Sequence, residues 1–206
     1  MKTVVLLSGG IDSSVLLRRL AADGGELAPL FVDYGQRARW QEQEAARWQS
    51  RALRLDLTTL DMAAVGEGFR AGETKKFHVP IPQRNLVALA LGVAWADKIG
   101  AGRVALAVNR DDALDYASAS PPFLAAFATA TEALGPFRLE TPLAELSKGE
   151  VIRLGAELRV DFAHTYSCLL GYPRQCGGCP QCRKRRAAFD VAEISEPPGL
   201  YRRESG

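Results

Sequence analysis

Glycines, hydroxyl side chains and one carboxylate occur together near the N-terminus, in the stretch SGGIDSS at residues 8–14. A glycine-rich turn between a strand and a helix exposes backbone N–H groups at the helix N-terminus, where a phosphate is stabilised. The carboxylate of Asp12 would repel a phosphate unless a Mg²⁺ ion lay between them. The stretch therefore predicts a site for a magnesium–nucleotide complex. Its candidate residues are Ser8, Gly9, Gly10, Asp12, Ser13 and Ser14.

This loop differs from two common nucleotide-binding motifs. No Lys follows it as in G-x-x-x-x-G-K-[ST], and its glycines lack the G-x-G-x-x-G spacing of dinucleotide-binding folds. Neither a P-loop nor a dinucleotide fold is therefore expected. From these residues alone, an ordinary turn with a serine cap and a glycine bend stays open as the alternative.

The four cysteines all lie within 15 residues near the C-terminus, as Cys168, Cys176, Cys179 and Cys182. Two-residue gaps let successive thiolates converge on one metal, and four thiolates form a closed, structural tetrahedral Zn²⁺ site. An iron–sulfur cluster uses the same ligands and gaps, and it stays open from the spacing alone. Disulfides are not expected in a cytosolic chain.

Length and charge limit the classes of function. With 206 residues, the chain is long enough for one α/β unit and an appendage. Its formal net charge is +2, so no overall field attracts nucleic acid or an anionic membrane. The longest uncharged apolar stretch, residues 86–96, is well short of the ~20 residues that a membrane span needs. We expect a cytoplasmic protein that acts on small molecules, with neither a membrane nor nucleic acid as a partner.

Short aliphatic runs alternate with longer helical patterns, which is typical of a parallel sheet with crossover helices. We predict an α/β fold with an open, mostly parallel five-stranded sheet and helices on both faces. The predicted strands are residues 3–7, 28–34, 53–59, 103–108 and 137–142, and the predicted helices are residues 12–22, 39–52, 84–98, 121–134, 147–158 and 180–192. Catalytic loops should then lie at the carboxyl ends of the strands.

The chain is predicted to contain two regions with different functions that pack as one structural unit. Residues 1–145 should form the nucleotide-binding domain, and residues 146–206 a C-terminal helical region that carries the cysteine site and packs on the first part as one structural unit. Residues 60–80 contain three glycines and no clear periodicity. We predict a mobile loop there, with a lid and plain disorder both open.

The stretch SGGIDSS resembles the pyrophosphate-binding loop of the N-type ATP pyrophosphatases, which cleave ATP between the α- and β-phosphates to adenylate an oxygen. Further stretches resemble one branch of that superfamily, the 7-cyano-7-deazaguanine synthase family of queuosine precursor biosynthesis. They follow the family's order from residue 3 to about 190. These stretches are DYGQR at 33–37, P-x-R-N at 82–85, ETPL at 140–143, K-x-E at 148–150, TYSC at 165–168 and CGGCPQCRKR at 176–185.

The resemblance implies a fold of the adenine nucleotide alpha hydrolase type and an ATP-dependent ligase. Such an enzyme converts 7-carboxy-7-deazaguanine and ammonia to the nitrile through an adenylated carboxylate and then an adenylated amide. It also implies Mg²⁺ with ATP, one structural Zn²⁺ per chain and a homodimer.

Several residues gain expected roles from the same resemblance. Asp12 should hold phosphate and Mg²⁺, while Arg84 and Lys148 should clamp phosphate or carboxylate groups. Asn85 should hydrogen-bond the nucleotide or the deazaguanine edge. The nucleotide site should also include Asp33 and Tyr34, which end the second predicted strand. The alternatives are structural: helix caps at residues 84–85, a solvated helix start at Lys148, and a simple turn at residues 33–35.

The chain departs from the family pattern in three places. Tyr116 is followed by Ala-Ser-Ala-Ser rather than by the family's Pro-Asp-Cys-Arg. The family's His and Glu after DYGQR are Ala38 and Gln41 here, with Glu42 next to them, and Gln83 replaces a small residue. These changes weaken the substrate assignment more than the reaction class.

Alternative functions therefore stay open. A diverged enzyme would adenylate another carboxylate or transfer the deazaguanine to another acceptor. A tRNA thiolase would hold an iron–sulfur cluster on the cysteines and contact RNA through RKRR at residues 183–186, which we otherwise expect to be a solvated helix face. A non-enzymatic nucleotide-binding subunit would bind ATP without releasing pyrophosphate.

Overall fold

A single open sheet forms the centre of the molecule in a computed structural model that describes residues 1–71 and 79–202. The strands are β1 Thr3–Leu6, β2 Leu27–Asp33, β3 Thr58–Asp61, β4 Arg103–Ala105 and β5 Arg138–Glu140. Their order in the sheet is β3-β2-β1-β4-β5, and every neighbouring pair is parallel. The predicted sheet is therefore confirmed.

Helices cover both faces of the sheet, as predicted. The helices are α1 Ile11–Ala22, α2 Arg39–Arg51, α3 Ala63–Arg70, α4 Arg84–Lys98, α5 Arg110–Asp115, α6 Pro121–Glu132, α7 Lys148–Glu157 and α8 Pro180–Ala192. On one face, Val5 and Phe31 pack with residues of α1, α7 and α8, and this core cluster joins residues from before and after position 145. On the other face, Val4 and Leu30 pack with residues of α4 and α6.

The predicted third strand at residues 53–59 is wrong over most of its length, because β3 begins only at Thr58. Leu53, Leu55 and Leu57 alternate as in a half-buried strand, and they do pack against the core. They lie instead in the connection after α2, where Arg54 has a left-handed backbone with φ of +59°. The alternating leucines therefore indicate that every second side chain packs against the core, although the backbone here does not pair with a strand.

The predicted loop at residues 60–80 is also wrong in part. Its first half completes β3 and forms the two-turn helix α3. Gly66 lets α3 lie against the end of β2, since a Cβ atom there would be 2.0 Å from the carbonyl oxygen of Tyr34. Residues 72–78, a third of the predicted loop, lie outside the described residues.

The parallel arrangement brings the ends of β1, β2 and β4 to one edge of the sheet, and the candidate site lies at this edge. Within the part of the chain that the structure describes, no helix has both the length and the apolar character needed to cross a membrane.

Candidate active site

A cavity of about 260 Å³ opens at the carboxyl edge of the sheet. It collects side chains and loops that are far apart in the sequence. Most of the residues predicted to bind nucleotide or to catalyse line this cavity. They are Ser8, Gly10, Asp12, Ser13, Tyr34, Arg84, Asn85 and Lys148.

The glycine-rich loop at residues 8–14, named the phosphate loop after its predicted role, lies between α2 and the C-terminal region. Gly9 has φ of +76°, and a Cβ atom there would lie 2.2 Å from the carbonyl oxygen of Glu42, so only glycine fits. On the other side, the N–H of Tyr166 donates to the carbonyl oxygen of Gly9 at 2.9 Å. The conformation of the loop therefore depends on both neighbours.

Two of the loop hydroxyls face the cavity together. The oxygens of Ser8 and Ser13 are 3.1 Å apart, and the N–H of Ser8 donates to Ser13 Oγ at 3.2 Å. Ser14 is fully buried and donates to the carbonyl oxygen of Gly10 at 2.8 Å. Ser14 thus shapes the loop without lining the cavity.

Two other predicted residues also lie outside the cavity lining. Gly9 backs onto α2, as described above. Asp33 Oδ1 accepts a hydrogen bond from the N–H of Gly35 at 2.9 Å, and Asp33 Oδ2 lies 3.9 Å from Arg39 Nε. The Asp33 carboxylate therefore holds the turn after β2, which is the structural alternative that the sequence left open.

Both oxygens of the Asp12 carboxylate are held by partners from distant elements. Lys148, the first residue of α7, forms an ion pair with Oδ2. Asn109 donates from Nδ2 to Oδ1 at 3.2 Å. The backbone N–H of Lys148 donates to Asp111 at 2.9 Å, so the start of α7 is tied to the start of α5. Lys148 is therefore part of the site rather than of a solvated helix start.

Sequence reasoning missed Asn109. This residue is 2% exposed, caps α5 through the N–H groups of Asp111 and Asp112, and completes a capping box with Asp112. The N-x-x-D pattern at residues 109–112 carries this signal. The cap fixes the side chain whose amide reaches Asp12.

Acidic groups accumulate beside Lys148. Burial, followed by the nearby charge of Asp12, raises the pKa of Asp112. Both carboxylates line the cavity next to the phosphate loop. Carboxylate oxygens are the ligands that Mg²⁺ prefers, so the donor set fits a magnesium ion bound with phosphates.

One wall of the cavity contains Arg84 and Tyr116. The guanidinium carbon of Arg84 lies 5.5 Å from the centroid of the Tyr116 ring, and Gln181 donates to the Tyr116 hydroxyl at 3.4 Å. Asn85 donates to the carbonyl oxygen of Ser118 at 3.3 Å. The segment that departs from the family pattern therefore adjoins this wall, and α8 contributes to it through Gln181.

Glu42 is a further cavity residue that the sequence did not assign. Its carboxylate accepts a hydrogen bond from Gln36 at 3.0 Å, and both side chains line the cavity. Burial raises the pKa of Glu42 to about 7, against the lowering effects of Gln36 and Arg84. Burial, with the charge of Glu42 next, also raises the pKa of Tyr34, whose phenol stays neutral.

We expect the contribution of Glu42 to stability to fall as the pH rises from 4.5 to about 7. In this window the folded protein retains a proton that the unfolded chain has lost, because folding raises the pKa from 4.5 to about 7. The loss should be about 3 kcal/mol in the free energy of unfolding. Urea unfolding at several pH values checks this. As the pH rises from 4.5 to about 7, the free energy of unfolding of E42Q should increase relative to that of wild type. The exposed residue Glu44 on the same helix supplies the control E44Q, and a pH-independent difference for E42Q contradicts the prediction.

The four cysteines converge as predicted, with all sulfurs within 4.8 Å of one another. Cys176 Sγ and Cys182 Sγ are 3.8 Å apart. A tetrahedron with Zn–S bonds of about 2.3 Å has edges of about 3.8 Å, so the spacing fits one zinc ion. An iron–sulfur cluster would stand between the sulfurs and hold them farther apart.

Backbone donors favour a thiolate at Cys176. Burial acts against the charge, but the N–H groups of Gly178 and Cys179 donate to the sulfur at 3.4 and 3.2 Å and lower its pKa to about 7. Cys168 and Cys182 are fully buried. The chemistry of this donor set suits a closed structural metal site.

Arg185 corrects the expectation that residues 183–186 form a solvated face. This side chain is 1% exposed and forms an ion pair with Glu196. It also donates to Thr165 Oγ1 at 2.8 Å and to the carbonyl oxygen of Phe162 at 3.0 Å. Arg185 thus holds residues 162–165 in place. The next residue, Tyr166, contacts the phosphate loop at Gly9.

Replacing Arg185 by Ala should lower the free energy of unfolding by about 3–5 kcal/mol, because Glu196 is left without its buried partner. The exposed neighbour Arg183 gives the control R183A, for which we expect less than about 1 kcal/mol. Chemical denaturation of both variants measures the difference. Equal effects would contradict the structural role of Arg185.

A family profile described as "Queuosine biosynthesis protein QueC" matches residues 2–193. The chain belongs to this family. Among curated relatives, the 7-cyano-7-deazaguanine synthase of Stutzerimonas stutzeri is 34% identical over 97% of this chain and 98% of its own length. The protein of the same name from Ruegeria sp. is 36% identical over 96% of this chain and 92% of its own.

Solved structures support the fold. A U34-tRNA thiolase, NcsA from Methanococcus maripaludis with its [4Fe-4S] cluster, has a TM-score of 0.63 and covers 99% of this chain and 76% of its own. The sequence identity is only 15%, so this likeness concerns the fold alone.

Proposed function

We propose that this protein converts 7-carboxy-7-deazaguanine, ammonia and ATP to 7-cyano-7-deazaguanine. Membership of the QueC family over nearly the whole chain is the observation that carries this proposal. The site geometry supports it, since a phosphate loop, two cationic side chains and several polar groups surround one cavity.

The reaction needs one adenylating site used twice. A carboxylate is a poor electrophile, and adenylation turns its oxygen into a leaving group that ammonia can displace. Activation of the resulting amide oxygen then allows dehydration to the nitrile. One cavity with one phosphate loop is consistent with such a repeated use.

The residues of the chain have distinct roles in this proposal. The N–H groups and hydroxyls of the loop at residues 8–13 hold the pyrophosphate that leaves. Lys148 neutralises charge beside Asp12, and Arg84 offers a planar fork to a phosphate or carboxylate. Asn85 and Tyr34 contact the nucleotide or the base. These interactions stabilise the charge that develops on the leaving group.

Two metal ions complete the proposal. Asp12 and Asp112 would hold Mg²⁺, which supplies charge neutralisation at the phosphates. The four cysteines would hold one Zn²⁺ with a structural role, which their sulfur spacing supports over an iron–sulfur cluster and hence over a thiolase. We also propose that the enzyme works as a homodimer in the cytoplasm.

A second candidate follows from the departure after Tyr116. Ser118 and Ser120 stand where the family has Asp and Arg, and the backbone carbonyl of Ser118 accepts a hydrogen bond from Asn85, which lines the cavity. A different carboxylate, or another acceptor for the deazaguanine, is therefore the alternative within the same reaction class.

Mass spectrometry of the products tests the proposal. The protein is incubated with Mg-ATP, ammonium and 7-carboxy-7-deazaguanine, and AMP and the nitrile are followed together. Formation of both supports the proposed reaction. If ATP binds but neither product forms, the substrate assignment is wrong, and a panel of other carboxylates tests the second candidate.

A further inference from the structure

Glu42 is a titratable cavity residue to which the adenylation chemistry gives no role. Its carboxylate lines the same cavity as Ser8, Lys148 and Arg84. The hydrogen bond from Gln36 holds one of its oxygens in place at 3.0 Å. Glu42 therefore presents a positioned carboxylate to whatever occupies the cavity.

The other acidic cavity groups have partners that suit a different task. Asp12 is held by Lys148 and Asn109, and Asp112 accepts a hydrogen bond from the N–H of Asn109 at 3.2 Å. Both belong to the network beside the phosphate loop. Glu42 is hydrogen-bonded by a neutral amide, which leaves its carboxylate able to gain and lose a proton.

We propose that Glu42 accepts the proton from the nitrogen nucleophile during addition to the adenylated carboxylate. The inference rests on the proposed function and adds a catalytic residue to it. The nitrogen lone pair forms the C–N bond while the carbonyl π electrons move to oxygen, and a proton passes from nitrogen to the Glu42 carboxylate. The carbonyl then re-forms, and the C–O bond to AMP breaks with its electron pair leaving on AMP.

The same carboxylate also suits the second cycle. The amide nitrogen must lose both of its protons as the C≡N bond forms and AMP leaves. Arg84 and Lys148 cannot accept these protons while they are charged. Glu42 can accept one proton, release it to solvent and then act again.

The basicity of Glu42 agrees with this role. A carboxyl group with a pKa near 7 is a stronger base than an ordinary Glu at neutral pH. The groups that act on it come from several elements. They are Gln36 after β2, Asp33 at the end of β2, Tyr34 beside it, Arg84 at the start of α4 and Tyr166 of the C-terminal region.

The substitution E42Q separates proton transfer from nucleotide binding. Gln has the shape of Glu and its carbonyl oxygen can still accept from Gln36, so the loop should keep its place. Adenylation is measured as exchange of labelled pyrophosphate into ATP with the carboxylate substrate and no ammonium. Nitrogen addition is measured as amide and nitrile formed with ammonium. The exposed E44Q is the matched control.

E42Q should keep exchange within about threefold of wild type and lose at least ~100-fold in product formation with ammonium, as expected for a missing general base. Hydroxylamine is far less basic than ammonia and gives up its proton readily after addition. Its hydroxamate product should therefore form at a near-normal rate in E42Q. E44Q should match wild type in every assay.

A pH profile gives an independent readout. Rates of wild type, expressed per concentration of free ammonia, should rise as Glu42 loses its proton near pH 7, and this rise should be absent in E42Q. Equal losses of exchange and product formation in E42Q, or no loss of either, overturn the inference for Glu42 alone. A wild-type protein that forms neither amide nor nitrile overturns the proposed function and, with it, this inference.

Discussion

Replacing Asp12 by Asn is expected to lower the rate of ATP–pyrophosphate exchange by about 10³-fold, equivalent to ~4 kcal/mol in the activation barrier. The side chain keeps its size and can still bond to Asn109, but it loses the charge that pairs with Lys148. A magnesium–phosphate complex would lose a carboxylate ligand at the same position. Exchange of labelled pyrophosphate at saturating ATP measures the effect.

Asp115 provides a control of the same chemical type. It is exposed, and its ion pair with Lys184 lies outside the cavity, so D115N should leave exchange within about twofold of wild type. Thermal unfolding should show that D12N folds, because the Asp12 side chain lines the open cavity, where it is 19% exposed, rather than packing in the apolar core. An exchange rate for D12N within tenfold of wild type would contradict the role of Asp12 at the phosphates.

Local sequence signals located most of the elements. Helices α6 and α8 begin at the predicted residues, because Pro121 and Pro180 occupy the first helical position, which proline favours. The short helix α5 was missed because six residues give no hydrophobic period, although its cap at Asn109 has a recognisable pattern. The wrong third strand shows that alternating leucines reveal burial but not hydrogen-bond pairing.

The site could be predicted only where its residues form a contiguous motif. The phosphate loop and the cysteine cluster are of this kind. In the structure, loop residues line the cavity and the four cysteine sulfurs converge, as expected. Ser14 has a hydroxyl that could bind phosphate, but in α1 this hydroxyl donates to the carbonyl oxygen of Gly10 instead of lining the cavity. Glu42 and Gln181 enter the cavity through packing of α2 and α8, which no local pattern encodes.

The four-cysteine cluster is linked to residues beyond its own segment. Tyr166, two residues before Cys168, donates to Gly9 of the phosphate loop. Gln181, directly before Cys182, donates to Tyr116 on the cavity wall. Both links cross from the cysteine region to the candidate active site. Stability of the cysteine region should therefore be coupled to nucleotide binding.

Removal of the proposed zinc ion by a chelator is expected to lower the Tm by roughly 10–20 °C, which corresponds to a loss of about 5 kcal/mol for a chain of this size. Four thiols, two of them fully buried, would remain crowded within 4.8 Å without the ion that joins them. Because Tyr166 then loosens from Gly9, affinity for ATP should fall at least tenfold in titration calorimetry.

Re-addition of Zn²⁺ to the chelated protein is the control, and it should restore both Tm and ATP affinity. Cys182→Ser should reproduce the chelated state and should not respond to Zn²⁺, because the chain offers no other cysteine beyond the four. Elemental analysis of the untreated protein should give one zinc per chain. Iron with visible absorbance would contradict the zinc assignment, and an unchanged ATP affinity after metal loss would show that the links through Tyr166 and Gln181 do not couple the two sites.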